Sequence, residues 1–217
     1  MTENTGDKIE IGVQQTHPVV VTPITLYLIR HGTDITEFAE RFGDDRLTTD
    51  GVAQAQQFAS YLAGEKITRI YSSPNQPAME TAEIIAQQCD LEIKQDSRLA
   101  ARALGEADGK SYHRVRLAYP HLLQKSTFDI DWKFPGGESN GDVFMRSLSF
   151  AKEMLEKSSG KIERIAVISH SMVLNYLLYN FQGIGFQNGL FYIMHGGCYA
   201  ILKRSHRQFQ LYEMGEI

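Results

Sequence analysis

Two segments of this chain, "ITLYLIRHG" at 24 to 32 and "RIAVISH" at 164 to 170, are apolar, β-branched runs that each stop at a histidine. A run of that kind predicts a strand covered on both faces, as in a parallel sheet flanked by helices. In open α/β sheets the ligand crevice lies beyond the carboxyl ends of the strands. His31 and His170 both fall there, and Arg30 stands beside the first. One strand-end histidine is ordinarily a loop residue satisfied by backbone. Two, one of them in Arg-His-Gly, point to a site.

The rest of the chain alternates strand and helix signals. In "LTTDGVAQAQQFASYLAG" (47 to 64), Val52, Ala55, Ala59 and Leu62 recur at helical spacing, with Thr49 or Asp50 as the cap and Gly64 as the stop. A strand is expected at 67 to 72. A helix punctuated by Pro74 and Pro77 follows, then a short strand at 91 to 94. Residues 99 to 141 mix Gly, Pro, aromatic and charged residues without a period, which predicts a capping insertion of loops and short helices over a substrate.

Helical spacing returns from Asp142 through Val143, Ser147, Phe150 or Ala151, and Met154, and another helix follows His170. "CYAILKR" and "QFQLYEM" predict an antiparallel pair. The sum is one α/β domain over 19 to 217, with a mostly parallel sheet and helices on both faces. Residues 1 to 18, polar and ending at Pro18, are expected to be a flexible lead-in to the β-prone "VVVT".

Lys and Arg number 22 against 26 Asp and Glu, a net charge of -4, so the composition argues against nucleic acid or a membrane surface as partner. No basic, apolar leader opens the chain and no long apolar span occurs, which predicts a cytoplasmic protein. Cys89 and Cys198 lack ligand or disulfide spacing.

Taken together, "LIRHG" (28 to 32), "LTTDGVAQA" (47 to 55), "YSSP" with "ETA" (71 to 74 and 80 to 82), "LGEADG" (104 to 109), "PGGES" (135 to 139) with Arg146, and "VISH" (167 to 170) resemble the histidine phosphatase superfamily. That group includes cofactor-dependent phosphoglycerate mutase, and the resemblance runs from about residue 24 to 203. It implies a three-layer α/β/α sandwich and a small-molecule phosphate as substrate, with no metal or cofactor; it leaves a homo-oligomer open. His31 would attack phosphorus and form a phosphohistidine, Arg30 would hold phosphoryl oxygens, and His170 would donate to a non-bridging oxygen. Gly32, Thr33, Glu37, Ser171 and Glu138 would contact the substrate. Gly32 would also let the backbone pass close to the ligand.

Three pocket positions depart from the family pattern: Glu37 replaces an asparagine, Pro77 an arginine clamp, and Ala101 the proton-donating glutamate. A lost charged hydrogen bond to phosphate costs roughly 1.5 to 3 kcal/mol. A missing general acid costs on the order of 10²- to 10⁴-fold in rate, and two like charges about 4 Å apart repel by about 4 kcal/mol at an effective dielectric near 20. A plain mutase is disfavoured on these grounds.

Four readings accommodate the losses. Glu37 turns to solvent. Glu37 or another group, Glu106 foremost and then Glu80, Arg102 or Asp108, serves as a displaced acid. The substrate has a good leaving group. Or the pocket is repurposed, as an isomerase, cyclase or lyase, or as a pseudophosphatase binding an anionic or aromatic ligand. Among the other residues, Arg146 is expected to pair with Glu138, and Ser139 or Asn140 to cap the helix. His195 is expected in a turn, with the crevice as a secondary placement. Trp132, Phe134, Tyr112 and Tyr119 are expected to pack the insertion, Arg114 and Arg116 to be solvated, and the glutamines of "QAQQ" and "AQQC" to lie on exposed helix faces.

Overall fold

A computed structural model of the chain describes residues 23–37, 43, 45–124, 129–156, 161–186, 195–205 and 208–217. The expected lead-in and the "VVVT" run lie outside them. In chain order the elements are β1 (Ile24–Arg30), α1 (Thr49–Gly64), β2 (Arg69–Ser72), α2 (Gln76–Cys89), β3 (Ile93–Gln95), α3 (Tyr112–Ala118), α4 (Pro120–Gln124), α5 (Asn140–Glu156), β4 (Glu163–Ser169), α6 (Ser171–Gln182), β5 (Cys198–Ser205) and β6 (Gln208–Glu216). One sheet runs β3-β2-β4-β1-β5-β6. Its first four strands are mutually parallel, and β5 and β6 are each antiparallel to the strand before them in that order.

Alternation along each central strand feeds two cores. Leu26 and Leu28 of β1, with Ile165 and Val167 of β4, pack against α5 and α6. Tyr27, Ile29, Ala166 and Ile168 face the other way, against Phe58, Ala59 and Leu62 of α1 and Ala78, Ala82 and Ile85 of α2. Both faces of these strands are therefore apolar, as the unbroken runs require. The result is the three-layer α/β/α arrangement with a mostly parallel sheet.

Element edges differ from expectation for local reasons. Thr48, one residue earlier than expected, caps α1: its Oγ1 accepts from Gly51 N–H at 3.0 Å. Gly64 is the last helical residue, and it is Lys66 that takes a left-handed backbone with φ of 55°. β3 starts two residues late because the α2 terminus uses Asp90, also left-handed, and Leu91, whose N–H bonds to the Ala86 carbonyl at 3.2 Å. β2 begins at Arg69 rather than residue 67. α5 begins at Asn140, because Ser139 caps it by exchanging bonds with Asp142: Asp142 N–H to Ser139 Oγ at 3.0 Å and Ser139 N–H to Asp142 Oδ2 at 2.9 Å.

The segment between β3 and α5 carries its own small core of Ala107, Val115, Trp132 and Phe134, with Tyr119 packed on it. Tyr112, Arg114 and Arg116 are exposed. Among the described residues no helix is long and apolar enough to cross a membrane.

The turn after β1 is pressed onto the first turn of α1. A Cβ on Gly51 would lie 2.1 Å from the Thr33 carbonyl oxygen, and one on Gly32 would lie 2.3 Å from the Gly51 carbonyl oxygen. We expect Gly51→Ala to lower the unfolding free energy by about 2 kcal/mol or more, as overpacking against backbone does. Gly64→Ala, with open space around the added methyl, should instead stabilise by roughly 0.5 to 1 kcal/mol. Urea titration of both variants checks the contrast.

Candidate active site

β1 and β4 lie side by side in register, with Arg30 opposite Ser169. The next residue on each strand is a histidine, and His31 N–H continues the ladder to the Ser169 carbonyl at 3.1 Å. The two imidazoles consequently meet, their ring centroids 4.9 Å apart and their planes tilted by 59°. They are 3% and 7% exposed.

His31 Nδ1 lies 2.8 Å from the Gly32 carbonyl. A carbonyl only accepts, so the proton sits on Nδ1 and the neutral ring carries its lone pair at Nε2. Burial, reinforced by the Arg30 charge, pulls the His31 pKa down to about 4. The ring is therefore neutral at physiological pH, as a nitrogen nucleophile must be. Burial also holds His170 well below its usual value, helped by His31, Arg30 and Arg146.

The tautomer of His170 follows from its neighbours. Asn75 Oδ1 accepts from Ala101 N–H and from Ser73 Oγ–H, both at 2.9 Å. Ser73 has one hydroxyl proton and has given it to Asn75. The 2.8 Å contact between Ser73 Oγ and His170 Nε2 then requires the proton on Nε2. A relay of fixed direction thus runs from His170 Nε2–H to Ser73 and from Ser73 to Asn75 Oδ1, which Ala101 N–H also donates to from the other side.

Other contacts fix the loop that carries the nucleophile. Gly32 N–H donates to Thr81 Oγ1 at 3.1 Å, and Thr81 donates to the Pro77 carbonyl at 2.8 Å. Gly32 is thus demanded by the close approach of the α1 backbone described above. Thr33 gives its N–H and its hydroxyl to Gln54 Oε1, at 2.9 and 3.2 Å, and Gln54 Nε2 reaches the Gly196 carbonyl at 3.1 Å. This corrects the reading of Gln54 as an exposed helix residue: it ties the loop after β1 to the loop before β5.

The remaining sequence candidates divide clearly. Arg30 stands on β1 between the histidine turn and the sheet, and Ser171 opens α6 behind His170. Glu37 ends a single 3-10 turn (Ile35–Glu37), and its side chain lies outside the described residues. Glu138 is held by Arg146 at 2.9 Å, as expected, and also accepts from Ala103 N–H. Glu106 is exposed and accepts from the Tyr119 hydroxyl. Glu80 accepts from Leu47 N–H and Gln76, so it braces α2 against the segment before α1. His195 is exposed and its carbonyl closes a turn to Cys198 N–H.

A cavity of about 430 Å³ adjoins the relay, lined by Gly43, Asn75, residues 100–104 and Asp108. It opens where the family pattern would have a glutamate and this chain has the Ala101 methyl. Among the described residues no group of three or more His, Cys, Asp or Glu is arranged to hold a metal ion.

Two residues of the relay were not singled out from sequence. Ser73 lay inside the quoted "YSSP", and Asn75 stands at the helix cap without making a side-chain cap bond. Neither carries a sequence signal that separates a positioning role from punctuation.

Comparison with known proteins fits this geometry. Phosphoglycerate mutase-like protein 4 of Arabidopsis thaliana is 34% identical over 160 residues, 70% of this chain and 68% of the relative. The alpha-ribazole phosphatase of Shigella flexneri superposes with a TM-score of 0.78 at 19% identity, over 87% of this chain and 94% of that one. A mycobacterial glucosyl-3-phosphoglycerate phosphatase solved with VO3 gives 0.74 at 22% identity, over 86% and 96%. Residues 26–217 match the sequence profile of the histidine phosphatase superfamily, branch 1, and with two buried strand-end histidines meeting at the sheet's edge, the chain belongs to that family.

Proposed function

We propose that the protein is a phosphatase that hydrolyses a small-molecule phosphate through a phosphohistidine at His31. The observation that carries this reading is the Nδ1–H bond to the Gly32 carbonyl, which leaves a neutral imidazole with its lone pair at Nε2. In the first step Nε2 forms a bond to phosphorus while the ester P–O bond breaks. Water then attacks the phosphohistidine, releasing phosphate and restoring the ring. Arg30 neutralises phosphoryl oxygens, and His170 offers its Nε2 proton to one of them in competition with Ser73. The alpha-ribazole phosphatase and the glucosyl-3-phosphoglycerate phosphatase solved with VO3, which share the fold, support the same reading.

Ala101 places a methyl where the family pattern has the acid that protonates the leaving oxygen. Glu106 and Glu138 are engaged elsewhere, with Tyr119 and Arg146. The reading therefore favours substrates whose leaving group departs without a proton, such as aryl or acyl phosphates. Aryl phosphates should turn over on the order of 10²- to 10⁴-fold faster than alkyl phosphates, the span a general acid covers. Ala101→Glu should narrow that gap; an unchanged gap would mean that a different group already supplies the proton.

Orthovanadate should bind competitively with p-nitrophenyl phosphate, and His31→Ala should abolish turnover and weaken vanadate binding. Calorimetry and a chromogenic assay read both. Turnover that survives the substitution would remove His31 as nucleophile, whereas neither vanadate binding nor turnover across a broad ester panel would place the pocket in other chemistry.

The acid limb of the rate profile is also expected to be displaced. Burial lowers the His31 pKa to about 4, so the reactive neutral ring persists as pH falls past the usual 6.5 and is lost only near 4. On the acid side kcat/KM, corrected for the substrate's own second phosphate ionisation at about pH 6, should hold down to about pH 5 and decline below about 4. A corrected decline centred near 6.5 would contradict the assignment.

A further inference from the structure

Asn75 occupies the cap position of α2 yet gives the helix no side-chain bond. An asparagine there ordinarily accepts from an N–H in the first turn of the helix. Here Oδ1 is turned the other way, accepting from Ser73 Oγ–H and from Ala101 N–H, each at 2.9 Å. A backbone N–H only donates, so the atom that faces Ala101 is the amide oxygen and the orientation of the amide is settled by main chain. The side chain has forgone a helix cap to serve Ser73.

Ser73 stands beside His170 because β2 pairs with β4: its N–H continues that ladder to the Ile168 carbonyl at 2.9 Å. A hydroxyl has one proton and two lone pairs, and in this fully buried serine each has an assigned partner. The proton goes to Asn75 Oδ1. The lone pairs face Asn75 N–H at 3.2 Å and His170 Nε2 at 2.8 Å. Asn75 therefore grips Ser73 at two points and leaves toward His170 an oxygen that only accepts. Without Oδ1 the hydroxyl is released to turn its proton to Nε2, and the imidazole proton moves to Nδ1. His170 would then present a lone pair where an anionic phosphoryl oxygen needs a donor.

We propose that Asn75 is a positioning residue which, acting through Ser73, keeps His170 an Nε2–H donor toward the transferred phosphoryl group. The role rests on the phosphatase reading above and adds to it a residue that touches neither substrate nor imidazole. Its weight comes from the neutrality of the ring: burial holds the His170 pKa well below its usual value, so the ring has one proton and its placement decides between donor and acceptor. The wrong tautomer of a catalytic histidine is costly, about 10⁴-fold in kcat in the serine-protease triad.

Two substitutions separate this role from a structural one. Asn75→Leu preserves the shape and removes the acceptor, whereas Asn75→Asp keeps an acceptor for both Ser73 and Ala101. Long-range proton–nitrogen NMR correlation reads the ring tautomers, with the His170 signals assigned by their loss in His170→Gln. The wild type should carry the proton on Nε2, Asn75→Leu on Nδ1, and Asn75→Asp on Nε2 again. With p-nitrophenyl phosphate, kcat should fall on the order of 10²- to 10³-fold in Asn75→Leu, the cost of one lost donor to a transition-state oxygen, and recover for the most part in Asn75→Asp. Vanadate affinity should fall in step with kcat while inorganic phosphate affinity and KM change little. In a Ser73→Ala background, where the link is already cut, Asn75→Leu should lower kcat no further.

A folded Asn75→Leu that keeps its proton on Nε2 overturns the positioning role, as does a loss of kcat that recurs in full in the Ser73→Ala background. A wild-type His170 protonated at Nδ1 overturns it too, and that result needs no variant to fold. A wild type that neither binds vanadate nor turns over any ester overturns the phosphatase reading instead; the tautomer, read by NMR alone, still decides whether Asn75 governs His170.

Discussion

The register between β1 and β4 is the constraint from which the site follows. With Arg30 level with Ser169, two histidines from distant parts of the chain emerge together at the carboxyl edge of the sheet. A one-residue slip would turn every side chain of one strand to the other face, exchanging Leu26 and Leu28 with Tyr27 and Ile29 between cores that do not accept them. The apolar fill of both helix layers thus protects the position of the imidazoles, and an error in the site would cost core packing first.

Around that pair, the backbone does much of the chemical specification. The Gly32 carbonyl fixes the His31 tautomer, and the Ala101 N–H fixes Asn75 Oδ1 as the acceptor of the relay that begins at His170. Neither depends on a charged side chain, and both remain where the family's clamp and acid do not. Two of the three positions that depart from the pattern, Pro77 and Ala101, carry a cyclic and a small side chain, whereas the Gly32 and Ala101 contacts are anchored to main chain. Among the described residues of this region, Arg146 is committed to Glu138.

The sequence exposes the layered architecture and the paired histidines because both rest on short-range patterns: apolar runs of strand length and a residue type at the end of each. The Glu138–Arg146 pair was legible too, since a helix start brings those positions together. What escaped depends on contacts between distant segments. Gln54 shows the same helical spacing as its solvated neighbours, and only the arrival of Gly196 beside it gives it a purpose. Arg102 looks like any charge in an irregular stretch until Trp132 and Asn140 close on it. The start of β3 shifted because Leu91, which fits strand statistics, was taken up by the α2 terminus behind the left-handed Asp90.

Strand order has a consequence for biosynthesis. β4 lies between β1 and β2 in the sheet but follows both in the chain. Until it has left the ribosome, β1 and β2 each present an unsatisfied apolar edge, the kind that recruits other chains. His170 arrives directly behind the strand that seals those edges, so an emerging chain carries its first histidine long before it has a partner for it. Assembly of the reactive pair and removal of the most aggregation-prone surface are in this topology one event, late in translation.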